Sequence, residues 1–217
     1  MDGSCIMYLV RHAQTKYDGH PMLIDGSKDP ALSRDGRKQA QRLAVSLQRR
    51  NLAAVYTSPA RRALHTAAIL AEELPVPLCL KSALAEVNHG AWEGMTWSDV
   101  MDAYAADYGR FLVDPGTYGY TDGENLCQVQ DRMARLLYQL GTEHAGQQIV
   151  VVSHKQAIRA FLSHLVGYPL HRCRDIDQDT ACVNVLRYLD GSFLLGAVNQ
   201  PAVTEECLKH DCCIRGA

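Results

Sequence analysis

The chain has 217 residues, of which 47% are hydrophobic and 21% are charged, and its formal net charge is −2. This composition is typical of a globular chain with a substantial core, and it excludes a disordered or fibrous protein. Lys and Arg form no long basic run, so neither nucleic acid nor membrane is expected as a partner, and no apolar stretch is long enough to cross a bilayer.

The N-terminal sequence MDGSCIMYLV lacks the positively charged start and the cleavage site of a signal peptide, so we expect a strand here and a protein of the cytoplasm. Five cysteines lie in or near apolar segments, as reduced core cysteines do: Cys5, Cys79, Cys127, Cys173 and Cys182. The tail CLKHDCC carries four more metal-ligand types: Cys207, His210, Cys212 and Cys213. Their spacing matches no zinc motif, so no metal or other cofactor is expected.

Apolar runs then alternate with helical patterns along the chain, which is typical of an α/β fold. Strands are predicted over 5–10, 53–58, 75–80 and 148–153, and a C-terminal antiparallel hairpin is predicted around the Asp190-Gly191 turn. A helix is predicted over 33–50, with Ser33 as its N-cap and one apolar face formed by Ala40, Leu43, Ala44 and Leu47. Further helices are predicted from Ser58-Pro59 onward, with Ser58 as the cap, near 96–107, and over 125–143 and 155–166. We expect one domain over 1–217, a three-layer α/β/α sandwich on a mostly parallel sheet, with a small helical cap at about 95–125.

Two predicted strands each deliver a histidine at the C-terminal end, His12 in YLVRHAQT and His154 in IVVVSHKQ. Ligands of open parallel sheets bind beyond the carboxyl ends of the strands, so both histidines are expected in one crevice. A single histidine in this position is more commonly a structural residue. Cations and a carboxyl strengthen the functional interpretation: Arg11 precedes His12, Arg62 opens a helix, and Glu86 lies in a glycine-rich segment.

Two imidazoles, two guanidiniums and a carboxyl are well suited to phosphoryl transfer. The planar guanidinium matches phosphate oxygens, and a neutral imidazole is a nucleophile toward phosphorus. Neighbouring arginines disfavour the imidazolium form. The sequence has no P-loop and no aspartate cluster for magnesium, which argues against an NTPase. A metal site formed by His12, His154 and Glu86 is a third possibility, which the two arginines disfavour by repelling a divalent cation.

Six motifs in order resemble the histidine phosphatase superfamily in its phosphoglycerate-mutase-like branch: RHAQT, PALSRDGRKQA, SPARRALHTA, LAEVNHGAWEG, DGEN and VVVSHKQAIR. The resemblance implies a metal-independent, cofactor-free phosphomonoesterase that hydrolyses a small phosphate ester through a phosphohistidine. A mutase of the phosphoglycerate type and a non-catalytic phosphate-binding member are the alternatives. Mutases of this branch tend to have a longer insertion with extra basic residues, which this chain lacks.

The resemblance also implies a role for each matching residue. His12 would be the nucleophile, and Glu86 would protonate the leaving alcohol and then activate water. The phosphoryl oxygens would be held by Arg11, Arg62 and His154, with Arg62 chosen over Arg61 by its spacing from Ser58. Gln14 and Thr15 occupy the family's usual substrate-binding places in the first loop.

Several positions depart from the family pattern. Ala13 stands in place of a glycine, Asp18 in place of an asparagine that contacts phosphate, and Lys155 in place of a glycine. A carboxylate at Asp18 would repel phosphate unless it pairs with a cation, and Lys155 would either reach the phosphate or point to solvent. His89, beside the Glu86 segment, is interpreted as a supporting or structural residue.

The predicted cap is rich in aromatic and acidic residues, and its only basic residue is Arg110. This balance argues against a second phosphate or several carboxylates in the substrate. Exposed aromatic faces would favour a ring, a sugar or a cationic group, although the same residues are equally expected as packing of a small helical cap. The physiological substrate and the oligomeric state are left open.

Overall fold

The computed structural model describes residues 3–18, 24 and 29–203, and the Cys207–Cys213 tail lies outside them. The strands are β1 (Cys5–Arg11), β2 (Leu52–Thr57), β3 (Leu78–Leu80), β4 (Gln148–Ser153), β5 (Val183–Leu189) and β6 (Ser192–Gln200). They form one sheet in the order β3-β2-β4-β1-β5-β6. The pairs among β1 to β4 are parallel, and β5 and β6 are antiparallel to their neighbours. The predicted sheet is therefore confirmed.

The helices are α1 (Arg34–Leu47), α2 (Arg61–Glu73), α3 (Trp97–Ala103), α4 (Ala105–Val113), α5 (Leu126–Glu143) and α6 (Lys155–Leu165). Side chains alternate across the central strands, as a pleated strand buried on both faces requires. Met7 and Leu9 of β1 pack in the core cluster that contains α5 and α6, whereas Tyr8 and Val10 pack with α1 and α2. The sheet thus lies between two helical layers.

Local chemistry explains where the first helix begins. The Ser33 hydroxyl accepts a hydrogen bond from Gly36 N at 2.9 Å, so Ser33 caps α1 as predicted. The apolar face predicted for this helix is buried: Ala40, Leu43, Ala44 and Leu47. A Cβ on Gly36 would lie 1.9 Å from Gln14 O, so only glycine lets α1 approach the loop after β1 this closely.

Three predicted boundaries were wrong. Strand β3 covers only Leu78–Leu80, because Pro75 and Pro77 lack the N–H that a longer ladder needs. Helix α2 begins at Arg61, with Ala60 as its N-cap residue, so Ser58 does not cap it. The single helix predicted near 96–107 is divided at Tyr104, whose φ of −129° and ψ of 36° interrupt the helix between α3 and α4.

The C-terminal hairpin is confirmed, with positive φ at both turn residues, 49° at Asp190 and 80° at Gly191, as a type I′ turn demands. Cys127 is exposed, unlike the core cysteine expected there, whereas Cys5, Cys173 and Cys182 are buried. Among the described residues, no helix is both long enough and apolar enough to pass through a membrane.

Candidate active site

Two neighbouring strands place the histidines side by side. Arg11, at the end of β1, pairs in register with Ser153, at the end of β4, so the next residues are His12 and His154. His12 N donates to Ser153 O at 3.0 Å, which extends the ladder by one bond. The ring centroids are 5.2 Å apart, and the two side chains are 6% and 0% exposed. The structure thus brings the two predicted histidines together.

The His12 ring is held in one tautomer by the backbone. Its Nδ1 lies 2.9 Å from Ala13 O, and a carbonyl only accepts, so the network assigns the proton to Nδ1 and the lone pair to Nε2. Burial and the charges of Arg11 and Arg62 lower the pKa of His12 to about 4. At neutral pH the imidazole is uncharged, which is the form a nucleophile needs.

His154 has the complementary arrangement. Ser58 is fully buried, and its hydroxyl, which accepts from Ala60 N at 3.2 Å, has no acceptor for its own proton among the described residues except His154 Nε2, 2.8 Å away. The network assigns the ring proton to Nδ1, which is buried without a hydrogen-bond partner. Burial, His12 and nearby arginines hold the pKa of His154 well below its usual value. Nδ1 is thus a buried donor ready for an acceptor, and such groups are rare unless a ligand uses them.

Both arginines of the pair are oriented by a carboxylate, and Arg11 is also anchored by a backbone carbonyl. Arg11 donates through Nη1 to Gln178 O at 2.7 Å and through Nη2 to Asp18 at 3.3 Å. Arg62, in the first turn of α2, is 6% exposed and pairs with Asp29 at 3.3 Å. Asp29 also accepts from Arg61 N at 2.6 Å, so it takes over the capping role that the sequence assigned to Ser58. The Arg61 side chain is exposed, and the buried member is Arg62, as expected.

The carboxyl of Glu86 is bound to the start of α6. Its Oε1 accepts from Val87 N and Ala157 N, both at 3.0 Å, and its Oε2 accepts from Gln156 N at 3.2 Å. Free amides at a helix N-terminus stabilise an anion. Glu86 therefore lies in the crevice with the histidines, and its carboxylate is held by the helix that follows His154.

Arg132 of α5 fixes the backbone that carries Glu86. Its guanidinium donates to Ala83 O and Ala85 O at 2.8 Å and to Glu86 O at 3.0 Å. Glu124 pairs with the same guanidinium at 2.8 Å and accepts from Asn88 N at 2.9 Å on the other side of Glu86. The two charged residues thus brace the irregular Glu86 segment, in which no regular ladder holds the backbone.

Four of the five central residues line one cavity of about 420 Å³: Arg11, His12, Arg62 and Glu86. The fifth, His154, is buried behind the His12 ring. Thr15 lines the cavity, but Gln14 does not. The Gln14 Oε1 atom accepts from the Ser33 hydroxyl at 2.7 Å, and its backbone N donates to Gln39. Gln14 therefore joins the first loop to α1. Its side chain does not lie in the cavity wall, where the predicted role in binding phosphate would require it.

The departures from the family pattern have structural explanations. Ala13 is fully buried in a small cluster with Leu32, and its N donates to the Thr66 hydroxyl at 3.0 Å. Asp18 pairs with Arg11 and accepts from Thr15 N, so its carboxylate is not free to repel a phosphate. Lys155 lines the cavity, and burial together with Arg159 and Arg11 lowers its pKa.

His89 also lines the cavity. Its Nδ1 lies 3.7 Å from Glu93, and its ring meets Tyr120 edge-on with centroids 4.7 Å apart. Position and packing agree with the supporting role expected from the sequence.

Four residues of the site were not predicted from the sequence. Ser58 and Asp29 act on His154 and Arg62, and Arg159 and Arg174 contribute two further cations to the cavity wall. Arg159 follows Lys155 by one helical turn, a spacing that was available in the sequence. Arg174 lies in a short 3-10 helix and Asp29 in an irregular segment, and no periodic pattern in the sequence predicts where either side chain points.

The aromatic cap is explained by packing. Trp92 lies within 6.4 Å, between ring centroids, of five other rings: Trp97, Tyr104, Tyr108, Phe111 and Tyr120. Only Trp97 and Tyr120 among the cap aromatics reach the cavity. The chain supplies its own cation to the cap aromatics. The Arg174 guanidinium lies 5.5 Å from the ring centroid of Trp97 and 5.4 Å from that of Phe111. The cap itself supplies no cation to the cavity, and the additional positive charge comes from Lys155, Arg159 and Arg174, which lie outside residues 95–125.

A metal site is not what this geometry forms. Among the described residues, no group of three or more His, Cys, Asp and Glu side chains is placed to hold a metal ion. His12 Nδ1, His154 Nε2 and both Glu86 oxygens are engaged by protein groups. Arg11 and Arg62 line the same cavity as His12, and their charges would repel a divalent cation.

A mostly parallel α/β sheet with two neutral histidines, two arginines and a carboxyl at its carboxyl edge defines an enzyme of phosphoryl chemistry. Residues 7–201 match the model of the histidine phosphatase superfamily (branch 1). The chain belongs to this superfamily, as the resemblance of its motifs predicted.

Its relatives include enzymes with assigned substrates. The chain is 34% identical over 181 residues to phosphoserine phosphatase 1 of Hydrogenobacter thermophilus, covering 83% of this chain and 85% of that protein. It is 27% identical over 202 residues to the adenosylcobalamin/alpha-ribazole phosphatase of Escherichia coli, covering 92% and 98%. The solved structure of Bacillus stearothermophilus YhfR superposes with a TM-score of 0.81 at 28% identity, covering 93% and 99%.

Proposed function

We propose that this protein is a metal-independent phosphomonoesterase that hydrolyses a small phosphate ester through a phosphohistidine on His12. The observation that carries the proposal is the pair of imidazoles in opposite hydrogen-bonding states. His12 offers the lone pair of Nε2, and His154 offers a buried Nδ1–H with no partner. A phosphoryl group satisfies both histidines, because its phosphorus accepts the lone pair of His12 and an equatorial oxygen accepts a hydrogen bond from His154.

In the first step, His12 Nε2 attacks phosphorus and the ester P–O bond breaks. The leaving alkoxide takes a proton from the Glu86 carboxyl group and departs as the alcohol. Arg11, Arg62 and His154 hold the equatorial oxygens, on which negative charge develops. The amides of Val87, Gln156 and Ala157 stabilise the carboxylate that proton transfer leaves on Glu86.

In the second step, the Glu86 carboxylate removes a proton from water, and the water oxygen attacks the phosphohistidine. The N–P bond breaks, inorganic phosphate forms, and His12 returns to the neutral tautomer set by Ala13 O. Both steps conserve charge and protons without a cofactor.

The relatives support a small-molecule substrate, since phosphoserine and alpha-ribazole phosphate esters are both small. We take residues 1–217 as one domain in which residues 95–125 cap the site, supported by the presence of Trp97 and Tyr120 in the cavity wall. A location in the cytoplasm is part of the same proposal.

The test is hydrolysis of p-nitrophenyl phosphate by the wild type and by His12→Ala, each with and without EDTA. We expect turnover that is insensitive to the chelator and at least about 10³-fold slower in the variant, as for removal of a nucleophile. Rapid acid-free quenching with ³²P-labelled substrate should trap label on the wild-type chain and not on the variant. Loss of activity with EDTA would favour the metal alternative, and absence of turnover would favour a non-catalytic member.

The mutase alternative requires one further measurement. Incubation with 3-phosphoglycerate should yield inorganic phosphate and glycerate. Efficient conversion to 2-phosphoglycerate with little free phosphate would retain the site but overturn the assigned reaction.

A further inference from the structure

One wall of the active-site cavity carries three cations that the proposed chemistry does not use. Lys155 and Arg159 lie one turn apart on α6, on the same helical face. Arg174 comes from the short 3-10 helix Leu170–Asp175. All three line the cavity that contains His12. We refer to Lys155, Arg159 and Arg174 as the basic wall.

The basic wall is not neutralised by the protein. None of its three side chains forms an ion pair with an acidic side chain among the described residues, whereas the neighbouring Arg172 is paired with Asp175 at 2.9 Å. Arg159 is 8% exposed and donates only to neutral groups, Ile176 O and Gln156 Oε1. A buried guanidinium with neutral partners retains its full charge toward the cavity.

The basic wall adjoins the phosphate pocket. Lys155 is close enough to Arg159 and to Arg11 for their charges to lower its pKa, after burial as the largest cause. Burial likewise lowers the pKa of Arg159, with Arg11 and Arg174 contributing. The basic wall and Arg11 thus line the same cavity, and the Arg174 guanidinium lies against the faces of Trp97 and Phe111 of the cap.

The net charge of the cavity indicates how many negative charges the substrate carries in addition to its phosphate. Five cations line it among the described residues, namely Arg11, Arg62 and the three of the basic wall. Asp18 and Asp29 pair with Arg11 and Arg62, whereas Glu86 is the protonated acid of the proposed first step and His12 and His154 are neutral. A phosphate monoester brings up to about two negative charges. About one positive charge is then left, which matches a single carboxylate and would be exceeded by a second phosphate.

We propose that the substrate of this enzyme is a phosphomonoester that also carries a carboxylate, and that Lys155, Arg159 and Arg174 bind that carboxylate. The inference rests on the proposed function and narrows it. The guanidinium of Arg159 or Arg174 matches the planar carboxylate, and Lys155 supplies a point charge. The substrate-discriminating position is thus Lys155, where the family commonly has glycine.

The test uses esters that differ only in the carboxylate: 3-phosphoglycerate against glycerol 3-phosphate, and phosphoserine against phosphoethanolamine. We expect the wild type to favour the carboxylate in each pair by about 10- to 100-fold in kcat/KM, the range that one charged hydrogen bond supplies. Lys155→Ala and Arg174→Gln should each reduce this ratio by about tenfold. Arg172→Gln, which removes a cation of the same 3-10 helix outside the cavity, should leave the ratio unchanged.

Three outcomes overturn the inference. A ratio near one in the wild type excludes a carboxylate subsite, even if p-nitrophenyl phosphate is hydrolysed well and the proposed function stands. A preference for fructose 1,6-bisphosphate over 3-phosphoglycerate assigns the wall to a second phosphate. Equal reduction of the ratio by Arg172→Gln and Arg174→Gln makes the effect one of general charge. If none of the esters is hydrolysed, not even p-nitrophenyl phosphate, the proposed function itself is refuted.

Discussion

At the scale of single residues, the site is organised by tautomers as much as by charge. A histidine ring has two nitrogens, and the partner of one decides the role of the other. Ala13 O fixes the His12 ring as a nucleophile, and the Ser58 hydroxyl fixes the His154 ring as a donor. Ser58 was interpreted from the sequence as a helix cap, because a serine before a proline at a helix start fits that pattern equally well.

Ser58→Ala should therefore weaken catalysis without disturbing the fold. Loss of the hydroxyl frees His154 Nε2 to carry the proton, and we expect kcat to fall about tenfold, the worth of one hydrogen bond in the transition state. Nitrogen NMR of labelled His154 should show the change from the Nδ1–H to a mixed tautomer. Ser163→Ala is the control, because the Ser163 hydroxyl is buried on α6 without a partner. An unchanged ring spectrum in Ser58→Ala would refute the assignment.

At the scale of elements, two helices hold a loop that has no ladder of its own. Helix α6 binds the Glu86 carboxylate through its first amides, and α5 binds the Glu86 backbone through Arg132. The placement of Arg11, His12 and His154 was predictable, since each follows from a strand end. The bracing by Arg132 and Asp29 was not, because an irregular segment carries no periodicity from which its partners can be inferred.

Arg132→Gln tests this bracing. If Arg132 positions Glu86, the variant should reproduce the signature of Glu86→Gln, with substrates that have poor leaving groups slowed far more than p-nitrophenyl phosphate, whose phenolate leaves unaided. We expect about tenfold greater loss on alkyl esters than on the aryl ester, an effect that simple destabilisation would not produce. Arg135→Gln on the same helix is the control, since Arg135 is exposed and its ion pair with Asp131 is long, at 3.9 Å. Equal loss on both substrate types would reduce Arg132 to a structural residue.

At the scale of the whole molecule, the sheet topology and both helical layers could be predicted from the alternation of apolar runs, and the family match agrees with them. The charge of the cavity could not be predicted from the cap, because Lys155 and Arg159 belong to α6 and Arg174 to a segment beyond it. Only the folded chain places these three in the same cavity wall as Trp97 and Tyr120 of the cap. A substrate class inferred from the cap segment alone therefore left out the charges of Lys155, Arg159 and Arg174.

Burial of neutral histidines also couples folding to pH. The pKa of His12 is near the usual histidine value of 6.5 in the unfolded chain and about 4 in the folded chain. Between these values the unfolded state binds more protons, so the free energy of unfolding falls as the pH is lowered from about 6.5 to 4, by about 3 kcal/mol for this residue. Thermal melts across this range should show a weaker pH dependence of Tm in His12→Ala than in the wild type. Parallel curves would contradict the buried, neutral state of the ring.

The hydrogen-bonded register of β1 with β4 has a consequence for energetics. The distance between the two imidazoles is set by a backbone ladder, from Ile6 opposite Gln148 to Arg11 opposite Ser153. The entropy of aligning nucleophile and donor is lost when the sheet forms, before any ester arrives. Contacts with the ester need not compensate for that loss, so more of their free energy remains available to lower the barrier to reaction.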